Sequence, residues 1–137
     1  NRCALRGGNI LKHLELLIER YPALAVCESE IKRALDEEAK QIIAAMPDKS
    51  YKIAMCVEGK QMTSEALAKK LENIAMEKSE ICFVIGSSYG LSDVVKSRAD
   101  MRMSVSELTF PHQLMRVVLL EQIYRSYRIM MGEPYHK

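Results

Sequence analysis

Two kinds of apolar pattern alternate along this chain, and each implies its own element. Lys52-Ile-Ala-Met-Cys-Val57 and Ile81-Cys-Phe-Val-Ile85 are nearly unbroken apolar runs, the pattern of parallel strands covered on both faces. Between them the period changes. Thr63 and Ser64 precede Glu65, Ala66, Leu67, Leu71 and Ile74, which predicts an N-capped helix running to about Glu77. Upstream, Ile31, Leu35, Ala39, Ile42, Ile43 and Met46 share one face of a helix predicted from Glu30 to Met46, with Ser29 placed as its N-cap and Pro47-Asp48 as its stop. Its other face is Lys, Glu and Asp in mixed sign, which reads as a solvated surface. Ala23–Cys27 has the length and apolar content of a strand, and Ile10, Leu11, Leu14, Leu17 and Ile18 predict a short amphipathic helix ending near Tyr21-Pro22. His13 lies beside that stripe and reads as a packed or solvated side chain. At the start, Arg6-Gly-Gly-Asn9 signals a turn after only a few strand-like residues.

The second half continues the alternation. Ile81–Ile85 runs into Gly86-Ser-Ser-Tyr-Gly90, and Ser92-Asp93 opens a short helix. Met101–Val105 predicts a last short strand, Ser106–Thr109 a polar loop, and Phe110-Pro111-His112 the entry to a final helix. Leu114, Val117, Val118, Leu120, Ile123, Tyr124, Tyr127 and Met131 give that helix an apolar stripe broader than one sheet face needs. In a chain this small, a second copy is the natural place to bury the surplus. Arg116, Arg125 and Arg128 interrupt the stripe, and arginine suits both interfaces and phosphates. The stripe of Met130 and Met131 reads as core or interface.

Strand, helix, strand, glycine-bearing loop and helix, in that order, make an α/β domain with a parallel sheet. Ligands of such sheets sit beyond the carboxyl ends of the strands, so the Gly86–Gly90 loop is the first place to look for a small molecule. By itself Gly-x-x-x-Gly is a weak signal. It matches neither the dinucleotide fingerprint nor the phosphate loop. A nucleotide-binding α/β module therefore stands as one reading.

Composition narrows the class. The 137 residues contain no internal repeat, low-complexity tract or linker, which predicts a single domain over 1–137. A net charge of +2 and an isoelectric point near 8.4 are too mild to grip a phosphate backbone unaided, so any nucleic-acid role needs local patches or a second subunit. Cys3, Cys27, Cys56 and Cys82 form no C-x-x-C pair and read as reduced thiols rather than metal ligands. Neither a signal peptide nor a run of membrane-spanning length is visible, and the expected address is the cytoplasm.

One set of residues is more specific than these rules. Phe83-Val-Ile-Gly86, Gly90-Leu91, Leu108-Thr-Phe-Pro-His112, Arg116-Val-Val-Leu119, Glu121-Gln-Ile-Tyr-Arg125 and Gly132-Glu-Pro-Tyr-His136 closely resemble the ribosomal RNA large subunit methyltransferase H family. The likeness extends loosely through Glu58-Gly59-Lys60 and the helix around Glu30–Met46, and so covers residues 28 to 137. It implies a SPOUT-class α/β fold, with a sheet flanked by helices and a C-terminal deep trefoil knot, working as a homodimer. The implied activity is methyl transfer from S-adenosylmethionine to N3 of a pseudouridine in a 23S ribosomal RNA stem-loop of the assembled ribosome, with no metal and no membrane.

Carried over by position, the resemblance puts cofactor binding on Met55, Gly86, Val105, Ser106, Glu107, Leu108, Thr109 and Phe110. The tail residues Tyr135 and His136 become the catalytic candidates, expected to approach the partner's cofactor and the target base. Tyr135 suits stacking on or hydrogen bonding to an extruded base, and His136 suits relaying a proton or holding a phosphate. His112, Arg125 and Arg128 are the substrate-side candidates, although His112 after Pro111 also reads as a helix-start residue that holds its loop. Two departures from the family pattern carry expectations. Gly86-Ser87 replaces two adjacent glycines, so backbone approach at the second position differs or is met by a hydroxyl. Asn1–Asn9 keep only an echo of the family's first strand and read as diverged or incomplete. Together they motivate the alternative of a catalytically silent ribosome-binding relative.

Overall fold

The two apolar runs do pair side by side. The computed structural model describes residues 2–4 and 28–136; the helix expected over residues 10–21 and the strand expected at Ala23–Cys27 lie outside the described residues. Strand β1 (Arg2–Ala4), β2 (Tyr51–Lys60), β3 (Ile81–Ile85) and β4 (Met101–Met103) form a sheet of order β1-β3-β2-β4. The parallel sheet expected from the order of elements is present in β3, β2 and β4, with Ile53 opposite both Phe83 and Met101. β1 departs from it, pairing antiparallel to β3 with Cys3 opposite Phe83.

Both faces of the sheet are covered, which is why β2 and β3 show no polar alternation. On one face Ile53, Met55, Phe83 and Ile85 are buried against helix α2 (Ser64–Glu77), through Leu67, Leu71 and Ile74, and against helix α4 (His112–Met130), through Leu119 and Ile123. The intervening residues Ala54, Cys82 and Val84 point the other way. They pack on α1 (Glu28–Ala45), through Ala39 and Ile42, and on Val95 of α3 (Asp93–Ser97). Burying side chains of this size on both faces supplies about 2 kcal/mol each in the hydrophobic term that opposes chain entropy.

The helix ends follow local chemistry. Thr63 caps α2 by accepting from the Ala66 amide, and Ser92 caps α3 by accepting from the Val95 amide, as their positions predicted. Ser29 is different: α1 already begins at Glu28, so Ser29 lies inside the first turn and is not the cap. At its far end α4 stops at Met130; the Gly132 N–H donates to the Ile129 carbonyl, and the φ of 68° at Gly132 turns the chain so that the Glu133 N–H reaches the Arg128 carbonyl.

Two strand boundaries differ from the apolar pattern. Glu58-Gly59-Lys60 does not end β2, which continues to Lys60 with an irregularity that puts both Met55 and Lys60 opposite Met103. Gly59 makes this possible, because a Cβ there would lie 2.5 Å from the Met103 carbonyl carbon. β4 ends at Met103 rather than Val105, since side chains divert the chain into a turn. Ser104 Oγ donates to the Ser106 carbonyl at 2.8 Å, and the Leu108 amide donates to Ser106 Oγ at 3.0 Å.

Candidate functional site

The carboxyl ends of β2, β3 and β4 open into one cavity of roughly 650 Å³. Its floor is apolar, formed by Ile85 and Met103 where β3 and β4 stop and by Met55 partway along β2 between them. The Gly86–Gly90 loop after β3 makes one wall and the chain from Ser104 to Pro111 after β4 makes another. Such a volume lies within the range of about 300–1,000 Å³ usual for small-molecule sites, and an apolar floor under polar backbone is the usual composition.

Each wall is held in shape locally. In the first, Gly86 packs so tightly on the returning chain that an added Cβ would sit 2.2 Å from the Gly90 carbonyl oxygen. The Gly90 amide donates to the Ser87 carbonyl at 3.0 Å, and Gly90 itself has a φ of 81°, a conformation that favours glycine. The hydroxyl of Ser87 is engaged by α1: it donates to Glu38 Oε2 at 2.9 Å. In the second wall the Ser104 and Ser106 hydroxyls close successive turns, leaving Leu108 and Thr109 exposed at the rim.

The charged group in the cavity wall is an ion pair that the sequence pattern did not single out. Lys96, on α3 and only 17% exposed, contacts Glu58 of β2 and lies 3.8 Å from Asp93. The Glu58 contact raises the Lys96 ammonium above its ordinary pKa, and the Lys96 contact lowers the Glu58 carboxyl, so both stay charged and cancel. Cys56 also lines the cavity; burial, then the Glu58 charge, pushes its thiol upward, which keeps it protonated and a poor nucleophile. Cys82 is a buried core thiol. Among the described residues no group of His, Cys, Asp and Glu is placed to hold a metal, and no helix is long and apolar enough to cross a membrane.

Most of the residues singled out for the cofactor meet here. Met55, Gly86, Val105, Ser106, Leu108, Thr109 and Phe110 line the cavity, and His112 closes one edge where α4 begins. Glu107 is exposed and is not in the lining. Residues the sequence left unassigned also line it, among them Leu91, Ser104 and Met115. Their apolar or small-polar character matches that of core positions, so only the folded chain distinguishes them.

Tyr135, His136, Arg125 and Arg128 form a second group, folded back on α4 and apart from the cavity lining of the same chain. Arg125 binds Glu121 through Nη2 at 2.6 Å and lies over the Tyr135 ring, 4.9 Å from its centroid. The Tyr135 hydroxyl donates to Glu121 Oε1 at 3.3 Å, and Tyr135 meets Tyr124 edge to face at 5.1 Å. Arg128 pairs with Glu133 and stands over Tyr124.

His136 is bracketed: Nδ1 lies 3.3 Å from Arg125 Nη1, and Nε2 lies 2.7 Å from Glu65 Oε1 at the start of α2. A guanidinium only donates, so Nδ1 carries the lone pair and Nε2–H donates to Glu65. In this arrangement the imidazole has no free nitrogen. Glu65 is held well below its ordinary value, at about 2, by its own backbone amide first and by His136 and Thr63 next. Arg125, then burial acting in the opposite sense, sets the balance that keeps the Glu121 carboxyl low.

Comparison with known proteins agrees with this architecture. The family model described as "Predicted SPOUT methyltransferase" matches residues 10–136. The Clostridioides difficile protein named ribosomal RNA large subunit methyltransferase H is 51% identical over 129 residues, covering 93% of this chain and 80% of that protein. Proteins of the same name from Streptococcus thermophilus and Bacillus pumilus are 52% and 47% identical over 125 residues, each covering 90% of this chain and 78% of the relative. The residues matched include both cavity walls, α4 and the tail. The chain therefore belongs to the SPOUT methyltransferase family, among the ribosomal RNA large subunit methyltransferase H proteins.

Proposed function

We propose that this chain is an S-adenosylmethionine-dependent methyltransferase of large-subunit ribosomal RNA, acting on N3 of a pseudouridine in a 23S stem-loop of the assembled ribosome. The observation that carries the reading is the cavity where three parallel strands end, in a chain whose family match includes both its walls. The cavity fits the methyl donor in kind. Backbone groups of Gly86–Gly90 and Ser104–Thr109 can read the adenine and ribose, and Met55, Val105 and Phe110 can cover apolar surface. The Glu58–Lys96 pair adds no net charge to a wall that must accept a zwitterionic amino-acid group and a sulfonium. When bound, S-adenosylmethionine supplies an electrophilic methyl group.

The remaining chemistry belongs to the tail. The N3 position must lose its proton, so the chain must place the base and offer an acceptor. Tyr135 stacks on or hydrogen-bonds the extruded base. His136 can take a proton at Nδ1 only after Arg125 turns away, and an RNA phosphate is a competitor for that guanidinium. Because this tail lies apart from its own chain's cavity, it serves the cavity of a second subunit in a homodimer. The C-terminal segment is threaded as a deep trefoil knot, and the enzyme works in the cytoplasm, where its ribosomal substrate resides.

Calorimetry with S-adenosylmethionine, followed by methyl transfer to ribosomes lacking the mark, tests the reading. Binding to a folded protein and a new methyl group at the pseudouridine are expected. Tyr135→Phe and His136→Ala should each lower kcat by about 100-fold, the lower range for a positioned proton-transfer group. A folded protein that neither binds the donor nor methylates would leave only the silent ribosome-binding relative. Preference for ATP would favour the nucleotide-binding module.

A further inference from the structure

The hydrogen bond between Ser87 and Glu38 joins α1 to a cavity wall, and nothing in the chemistry above uses it. It spans 49 residues of sequence at 2.9 Å, between half-buried partners, and the acceptor is a carboxylate. A charge-assisted bond of this kind is stronger than a neutral one. The turn it holds is tight, with Gly90 N–H on the Ser87 carbonyl, an isolated antiparallel bridge between Ser87 and Gly90, and no room for a Cβ at Gly86. The anchor is firm, because Ala39 and Ile42, close to Glu38 along α1, are buried in the cluster that contains Val84, Leu91 and Val95. Leu91 follows the turn directly, so α1 supports the loop by apolar contact behind it and by a hydrogen bond at its start.

We propose that Glu38 is a positioning residue for methyl-donor binding: it accepts the Ser87 hydroxyl and thereby holds the Ser87–Gly90 turn in the shape the cavity needs. The inference rests on the proposed function and extends it to α1, a helix with no residue in the cavity lining. The Ser87 hydroxyl gives the turn a side-chain tie in addition to its backbone hydrogen bond. Losing the bond lets the loop sample other shapes, which weakens binding of the donor without touching the transferred methyl group.

The experiment compares Glu38→Ala, Ser87→Ala, their double variant and Glu38→Gln. Both alanine variants should raise the KM and the calorimetric Kd for S-adenosylmethionine about tenfold, the effect of a hydrogen bond to a charged group. Their kcat stays within about twofold of the parent, because only ground-state holding is lost. Glu38→Gln keeps an acceptor oxygen but not the charge and should fall between the parent and the alanine variants. The double variant should be no weaker than either single one, since both remove the same bond. Amide exchange at Gly90, read on the protein without ligand, should accelerate most in the alanine variants and less in Glu38→Gln. Unchanged Kd and exchange, or additive losses in the double variant, would overturn the inference. A parent that binds no S-adenosylmethionine defeats the proposed function instead, and exchange at Gly90 then decides alone whether Glu38 holds the turn.

Discussion

Gly86 and Gly90 sit at opposite ends of one short loop and are glycine for different reasons. Gly86 lacks space, with the Gly90 carbonyl 2.2 Å from where a Cβ would be. Gly90 has open space around it and a φ of 81°. Gly86→Ala must therefore push the backbone of the loop apart. A loss of roughly 1–3 kcal/mol in denaturant unfolding is expected, together with loss of calorimetric S-adenosylmethionine binding. Gly90→Ala should cost about 1–2 kcal/mol, from left-handed strain alone. Unchanged donor binding by a folded Gly86→Ala variant would contradict the steric reading of that position.

Glu65 offers a pH-dependent contrast. Its folded-state pKa is depressed from 4.5 to about 2, so its contribution is complete above 4.5 and is lost as pH falls from there towards 2. An NMR titration of the Glu65 carboxyl should show this low midpoint. His136→Ala should raise the midpoint part of the way and no further, because the backbone amide is the larger cause.

At the scale of one element, α4 has two apolar sides with different fates. Leu119 and Ile123 are buried against the sheet and α2. Leu114, Val117, Tyr124, Tyr127 and Met131 remain exposed, Val117 at 60% and Met131 at 70%. Their spacing repeats along one face of the helix, the pattern of a seam awaiting a partner. Two substitutions separate these roles. Leu119→Ala should destabilise the fold by about 2–5 kcal/mol, read as a lower denaturation midpoint. Val117→Glu should leave that midpoint nearly unchanged and convert the proposed homodimer to monomer in sedimentation analysis. A monomeric parent, or a dimer indifferent to Val117→Glu, would place the subunit contact elsewhere.

For the whole molecule, the separation of tail and cavity within one chain makes a mixing experiment decisive. Thr109→Trp should block the cavity at its exposed rim while leaving the tail whole, and Tyr135→Phe should do the reverse. Each variant alone is expected to be inactive. If one subunit's tail completes the other's cavity, a mixed dimer regains one intact site, and a statistical mixture recovers about a quarter of parental activity. No recovery on confirmed subunit exchange would mean that each tail serves its own chain. Under the proposed function, the weak net charge of +2 leaves RNA affinity to combined surfaces and ribosome shape. Binding to ribosomes should weaken steeply with salt, and the isolated stem-loop should bind poorly in a filter assay.

Local order was what the sequence by itself determined. The apolar runs of β2 and β3, the caps at Thr63 and Ser92, the extent of α2 and the reach of α4 were all legible, because each depends on neighbours a few residues apart. The ordered motifs from Phe83 to His136 likewise carried the family, along with seven residues that line the cavity. Tertiary structure decided the rest. Only the sheet order brings Gly59 against Met103 and so extends β2 past its apolar run, and only packing across 49 residues gives Ser87 its Glu38 partner. The same holds for Lys96 with Glu58 in the cavity wall, and for His136 held between Arg125 and Glu65. Charge and hydrogen-bonding partners far apart in sequence leave no periodic trace; their geometry exists only once the strands have brought them within a few ångströms.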